Sequence, residues 1–172
     1  GCGGVKRLEH PDSMYLRAAQ GWLELGDHEE ARAELGQIRD GFKEHPDVLE
    51  ARWQVEAKAK QWEACMALAG ALIRLVPQRS SGWVHLSYAL HEMKRTEEAY
   101  ANLARVSQQF ISEPVIPFNL ACYSCQLGRL EESLSWLKRA MTLGDSAKIK
   151  DMALSDHDLK PVWKFVPGLE VV

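Results

Sequence analysis

Small and apolar side chains recur along this chain at a fixed interval of 34 residues. A column of small side chains consists of Ala31, Cys65, Ala99 and Ser133. Two apolar columns follow, four and seven residues later, at Leu35, Ala69, Leu103 and Leu137 and at Ile38, Leu72, Val106 and Ala140. Steps of four and three residues place all three columns on one face of a helix. The pattern therefore predicts a 34-residue repeat built on a helix.

A second helix is predicted upstream of each of these faces, because apolar side chains again recur there at helical spacing. Short breaks separate the two helices, at Gly26-Asp27, Lys60-Gln61, Lys94-Arg95 and Gly128-Arg129. Glycine suits the left-handed residue that commonly ends a helix. Prolines between successive helix pairs stop one helix and prepare the next, at Pro46, Pro77 and Pro114. The repeat is thus a helix hairpin.

These features predict four hairpins, at residues 12–45, 46–79, 80–113 and 114–147. A hairpin of this length with these columns resembles the tetratricopeptide repeat, most closely in the fourth unit, which reads Phe118-Asn119-Leu120-Ala121 and then Leu127-Gly128-Arg129-Leu130. The second unit departs from the family pattern, with Arg52-Trp53 where relatives prefer Leu-Gly. The resemblance implies an all-α fold, a right-handed superhelical α-solenoid of four helix-turn-helix hairpins plus a C-terminal capping helix.

Segments outside the repeats have distinct predicted roles. Residues 1–11 are expected to be a flexible leader, residues 148–166 a capping helix and tail, and residues 167–172 a less ordered end. The capping helix is predicted to begin at an N-cap serine, Ser146, and to face the last hairpin with Ile149, Met152 and Ala153. The tail resembles the segment that follows the last repeat in many bacterial members of the family, and this resemblance implies that three apolar side chains pin it to the core: Leu159, Val162 and Trp163.

Composition narrows the function classes. The net charge is −3, with charges of both signs interspersed, which argues against nucleic-acid partners and polybasic membrane binding. No apolar run approaches the length of a membrane span. Four irregularly spaced cysteines indicate reduced thiols and favour a cytoplasmic location. A lipoprotein beginning at Cys2 is the alternative.

The strongest candidate for chemistry is the CxxC motif at Cys122 and Cys125. A redox pair needs its thiol at a helix N-terminus, and this pair is predicted in the third turn of its helix. A zinc-type site with His91 is the remaining alternative. The sequence contains no phosphate-binding loop, nucleophile elbow or metalloprotease motif. We therefore predict that the protein is not an enzyme and requires no cofactor or metal.

The resemblance implies that the first helices of the hairpins line a concave groove that holds a peptide or helix of a partner protein. Carried onto this sequence, the groove would include Arg17, Gln20, Gln54, Lys58, Val84, Tyr88, His91, Phe118, Asn119, Cys122 and Gln126. In relatives an asparagine at the position of Asn119 holds a peptide backbone amide, and a side-chain amide both donates and accepts.

The predicted function is therefore a protein-interaction scaffold, with a partner peptide across Tyr88, His91, Phe118 and Asn119. A chaperone C-terminal tail is excluded as ligand, because the positions of the family's carboxylate clamp hold Leu16, Gln20, Ala51, Ser81 and His85. Two alternatives stay open: a metal-binding protein that uses the CxxC motif with His91, and a self-associating oligomer.

Overall fold

The computed structural model describes residues 4–171, and every regular element in that range is helical, without strands. The α-helices are α1 (Asp12–Glu24), α2 (His28–Gly36), α3 (Pro46–Lys58), α4 (Trp62–Leu75), α5 (Ser81–Glu92), α6 (Thr96–Val106), α7 (Val115–Gln126), α8 (Leu130–Leu143) and α9 (Ser146–Ser155). Two 3₁₀ helices span Asp40–Phe42 and His157–Gly168. The all-α prediction is confirmed. The proposed lipoprotein residue Cys2 lies outside the described residues.

The chain divides between Ala89 and Leu90 into two compact units. The N-terminal unit contains α1 to α4 and most of α5, and the C-terminal unit contains the end of α5, α6 to α9 and the tail, residues 156–169. Helices α1 and α2, α3 and α4, and α7 and α8 pack as pairs. The limits of the four 34-residue units stay a prediction. Among residues 4–171, no helix has both the length and the apolar character of a membrane span.

A left-handed residue ends the first helix of every predicted hairpin. These residues are Gly26, Lys60, Lys94 and Gly128, with φ of 83°, 56°, 64° and 78°. The residue after each of them donates its amide to the carbonyl five residues back, as Asp27 does to Trp22 at 2.9 Å and Arg129 does to Ser124 at 2.9 Å. This is the Schellman closure of a helix C-terminus. The structure thus places one turn geometry at intervals of 34 residues, with lysine at two of the four positions.

The small-residue column is completely buried at all four positions. In two hairpins its side chain also bonds to the facing helix: Ser133 Oγ donates to the Ala121 carbonyl at 2.7 Å, and Cys65 Sγ donates to the Trp53 carbonyl at 3.8 Å. Both bonds join residues 12 apart in the chain, so they are the same contact in two hairpins. A larger side chain in this column would push the two backbones apart.

The C-terminal unit is completed by α9 and the tail. Ile149 and Ala153 of α9 are buried, and so are Leu159 and Val162 of the tail. Trp163 Nε1 donates to the Ala153 carbonyl at 2.9 Å, which confirms that the tail is pinned to the core.

Two details of the predicted capping helix are wrong. The residue that caps α9 is Asp145, whose carboxylate accepts the Lys148 amide at 3.0 Å, and Ser146 is already the first helical residue. Met152 is 45% exposed, because it lies off the buried face that Ile149 and Ala153 share.

A buried ion pair closes the first hairpin. The Asp12 carboxylate at the start of α1 is completely shielded from solvent and accepts from the backbone amide, Nε and NH2 of Arg39, at 2.9, 2.8 and 2.5 Å. The hydrogen bonds from the Arg39 side chain and amide hold the pKa of Asp12 below its ordinary value. Asp12 thereby ties the first turn of α1 to the segment that follows α2.

Lysine in a left-handed turn is strained, and glycine would relieve it. We expect Lys60→Gly to stabilise the chain by about 0.5–1 kcal/mol and Gly26→Ala to destabilise it by about 1–2 kcal/mol, measured by urea unfolding. An added Cβ at Gly26 meets no atom within 4 Å, so the loss of stability in Gly26→Ala would come from backbone strain alone and not from a steric clash. Gly21→Ala is the matched control, since it also adds a Cβ in open space but lies inside α1 and should be mildly stabilising. Equal effects of Gly26→Ala and Gly21→Ala would contradict the account.

The Asp12 pair predicts a specific pH dependence. A carboxyl whose folded pKa is lowered contributes stability above its unfolded pKa and loses that contribution as pH falls through the folded pKa. Asp12→Asn should therefore destabilise the chain at about pH 7, and the difference from the native chain should shrink towards about pH 3. Urea unfolding at both pH values measures this. A difference that is the same at both pH values would show that Asp12 acts through packing and not through its charge.

Candidate functional site

The C-terminal unit carries an open apolar slot between α7 and α9, with a volume of about 400 Å³. One wall comes from the first turn of α7 and the proline before it, with Pro114, Val115, Phe118 and Asn119. The other comes from the α8–α9 turn and α9, with Gly144, Asp145, Lys148, Ile149 and Met152. The volume falls in the range of ligand pockets and suits one or two side chains.

The slot has a buried floor and an exposed rim. Phe118 is only 8% exposed and Ile149 is buried, whereas Val115 and Met152 are 43% and 45% exposed. At Gly144, a Cβ would come within 2.9 Å of Ile149 Cδ1 and 3.2 Å of Pro114 Cβ, so any larger residue would close this part of the slot. Two exposed apolar side chains around an apolar floor favour the binding of an apolar group.

Asn119 is the one break in an otherwise buried stretch of α7, residues 116–125. Its amide lies in the wall of the slot and makes no hydrogen bond to any other residue in the described range 4–171. A side-chain amide offers one acceptor and two donors, which matches a peptide group. The structure therefore brings the predicted residues Phe118 and Asn119 together at one opening, with an unused polar group beside apolar surface.

Two other predicted groove residues of this unit, His91 and Gln126, are held by the tail. His91 Nε2 lies 2.7 Å from Asp158 Oδ2, and its Nδ1 lies 2.9 Å from Thr96 Oγ1. Gln126 Nε2 donates to the Asp158 carbonyl at 2.8 Å. The tail thus covers part of the face on which the sequence placed a partner.

Cys122 is buried under the same tail. Its thiol donates to Asp156 Oδ2 at 3.6 Å, while Asp156 Oδ1 accepts the Asp158 amide at 2.9 Å. Sequence reasoning missed both aspartates as partners of α7. The 3₁₀ tail has no apolar period from which such contacts could be predicted.

The predicted groove residues of the N-terminal unit fall in different surroundings. Arg17 and Gln20 line a cleft together. Gln54 and Lys58 are exposed on α3, and Val84 is half-buried on α5.

Tyr88, 41% exposed, lies in an aromatic cluster with Trp53 and Trp62, at ring-centroid distances of 5.9 and 5.8 Å. The imidazole of His85 stacks on Trp53 at 3.9 Å, and its Nε2 lies 2.6 Å from Glu50 Oε2. The large indole that departs from the family pattern is accommodated by this stacking. Tyr88 is the exposed member of the cluster.

The CxxC thiols lie in surroundings that keep them protonated. Burial, together with the carboxylates of Asp156 and Asp158, raises the pKa of Cys122 far above its ordinary value, and burial also raises that of Cys125. A nucleophilic or metal-ligating cysteine needs a thiolate. No group of three or more His, Cys, Asp or Glu residues between residues 4 and 171 is arranged to hold a metal ion. The observations give no support to the alternative of a zinc site with His91.

Comparison with known proteins finds similar folds but no similar sequence family. No protein-family model and no curated protein matches the sequence. Solved structures of MamA, a protein with a tetratricopeptide-like helical-repeat fold, are similar. The structure described as MamA AMB-1 has a TM-score of 0.63 at 18% identity, over 92% of this chain and 91% of that one. The structure described as MamA MSR-1 has a TM-score of 0.63 at 17% identity, over 93% of this chain and 97% of that one. The MamA RS-1 ArsTM double mutant has a TM-score of 0.65 at 13% identity, over 87% of this chain and 80% of that one. At these identities the likeness shows the fold alone, and it confirms the predicted solenoid class.

Buried thiols with raised pKa values should be unreactive in the native chain. Burial raises the pKa of Cys65 to about 11, so roughly one part in a thousand is thiolate at pH 8. In a Cys2→Ser variant, we expect no reaction with Ellman's reagent under native conditions and reaction of all three remaining thiols in guanidinium. Fast reaction of one or two thiols in the native chain would indicate an activated CxxC pair instead.

Proposed function

We propose that this chain is a non-catalytic protein-interaction scaffold, and that the apolar slot of its C-terminal unit holds a peptide segment of a partner protein. The observation that carries the proposal is the unpaired amide of Asn119 beside the exposed side chains of Val115 and Met152. The helical-repeat fold supports it, because stacked hairpins expose long surfaces suited to binding.

The slot matches the two features of an extended peptide, a side chain and a backbone amide. An apolar side chain of the peptide would enter between Val115 and Met152 and contact Phe118. The peptide group beside it would exchange hydrogen bonds with the Asn119 amide.

The expected energies show that the slot alone binds weakly. One buried apolar side chain contributes about 1.5–3 kcal/mol, and two amide hydrogen bonds add about 0.5–1.5 kcal/mol each. Loss of translational and rotational freedom offsets several kcal/mol of this total. A useful affinity therefore requires further contacts between the peptide and the C-terminal unit, beyond those of the slot.

The proposed absence of catalysis is supported by the state of the reactive groups. The thiols of Cys122 and Cys125 have raised pKa values, and both ring nitrogens of His91 are engaged by Asp158 and Thr96. These groups are held by their neighbours and are not presented to a substrate.

Substitutions in the wall of the slot should weaken peptide binding. Peptides selected from a random library against the full chain should lose about five- to a hundredfold in affinity with Asn119→Ala, through the two lost hydrogen bonds. Met152→Glu should reduce binding further, because it places a charge on the apolar rim. Isothermal titration calorimetry measures both affinities.

Ile111→Glu is the matched control, since Ile111 is also an exposed apolar residue of the same unit, at 55% against 45% for Met152, and does not line the slot. Unchanged binding in Asn119→Ala and Met152→Glu would place the site elsewhere. Light scattering tests self-association: a dimer that Met152→Glu disrupts would make a second copy of this chain the occupant of the slot.

A further inference from the structure

A second opening, of about 500 Å³, lies on the N-terminal unit, and its lining differs in chemistry from the apolar slot. The segment before α1 contributes Arg7, and α1 contributes Ser13, Arg17 and Gln20. Arg79 enters from the loop between α4 and α5. Three guanidinium groups from three separate segments therefore converge on one cleft.

Two of these arginines carry uncompensated charge. Arg7 and Arg17 are exposed, and neither forms an ion pair or a side-chain hydrogen bond with another residue of the described range. Arg79 differs, because its NH1 donates to Asp47 Oδ1 at 2.8 Å. Asp47 thus fixes Arg79 in the wall and leaves the other two guanidinium groups open to a ligand.

The histidine in this cleft does not alter the charge balance. His45 Nδ1 accepts the Asp47 amide at 3.1 Å, which requires a ring nitrogen without a proton, and His45 Nε2 then donates to the Lys6 carbonyl at 2.9 Å. The geometry fits a neutral imidazole. The cleft therefore holds an excess of two positive charges in a chain whose net charge is −3.

We infer that this cleft binds an acidic segment of a partner protein through two side-chain carboxylates, one on Arg7 and one on Arg17. The planar guanidinium fork matches a carboxylate in a bidentate arrangement. Ser13 and Gln20 offer further hydrogen-bond groups. Leu8 and Leu16, which also line the cleft, provide apolar surface for the methylene stems of glutamate.

The size of the cleft and the charge of the chain favour a peptide over a nucleic acid. An exposed ion pair contributes little alone, so two neighbouring carboxylates are needed for measurable binding. A nucleic acid is held by many phosphate contacts along an extended basic surface, whereas among residues 4–171 only two uncompensated cations line the cleft, and the net charge of the chain is −3.

This inference deepens the proposed function, since it also assumes a protein partner, but it rests on residues of the other unit. The two sites are separable by experiment. Replacing both Arg7 and Arg17 with glutamine should leave unchanged the binding of any library-selected peptide that Met152→Glu weakens. Met152→Glu should in turn leave the binding of an acidic peptide unchanged.

The probe is a short fluorescein-labelled peptide with paired glutamates, glycine–serine spacers and an amidated C-terminus, so that only side-chain carboxylates are available. Fluorescence anisotropy with the full chain should show binding that weakens as sodium chloride is added. The Arg7→Gln/Arg17→Gln double variant should lose about three- to thirtyfold in affinity, and so should a peptide with glutamine in place of glutamate.

Arg139→Gln is the control for a general loss of positive charge, because Arg139 is exposed on α8 and lines neither opening. Circular dichroism should show unchanged folding of the double variant, since both arginines are exposed and neither side chain forms an ion pair or hydrogen bond within residues 4–171. Two results would overturn the inference: equal binding of the native chain and the double variant, or tighter Arg17-dependent binding of inorganic phosphate or a short single-stranded oligonucleotide than of the peptide.

Discussion

The close approach of two helices at a column of small side chains is the contact on which the rest of this structure depends. Ala31, Cys65, Ala99 and Ser133 are completely buried, and Ser133 and Cys65 also bond across to the facing helix. Backbones packed this closely restrict the path of the turn that joins the two helices. The left-handed residue at every turn follows from that constraint, and for this reason lysine adopts the conformation where glycine is absent.

Most of the fold could be predicted from the sequence because it repeats. The helical periods, the turns and the buried columns each occur four times, and agreement among copies identifies them. What is unique in the chain was harder to predict. Asp145, and not Ser146, caps α9, because both residue types are good N-caps and only the backbone geometry distinguishes them.

The candidate site was predicted only in part. Phe118 and Asn119 were expected together and do lie at one slot, but the contribution of Val115 and Met152 was missed. Met152 was assigned to the buried face of α9, although it lies off the face that Ile149 and Ala153 share. The bond between His91 and Asp158 joins residues 67 apart, and no periodic pattern relates the irregular tail to α5 or α7. Such contacts depend on tertiary packing and not on local sequence.

Two openings of different chemistry support the proposal of a scaffold. The slot of the C-terminal unit is apolar with one unpaired amide, and the cleft of the N-terminal unit is basic. In the C-terminal unit the tail limits where a partner can bind. It forms hydrogen bonds with Cys122, His91 and Gln126, and the first half of α7 is left open to a partner.

The central claim is that a peptide docks on the free amide of Asn119, and nuclear magnetic resonance tests it most directly. In a titration of the ¹⁵N-labelled full chain with a library-selected peptide, the side-chain amide pair of Asn119 should shift, together with the backbone amides of Val115 and Met152. Shifts that leave Asn119 in place and instead move the amides of the tail, Asp156 and Asp158, would contradict the account.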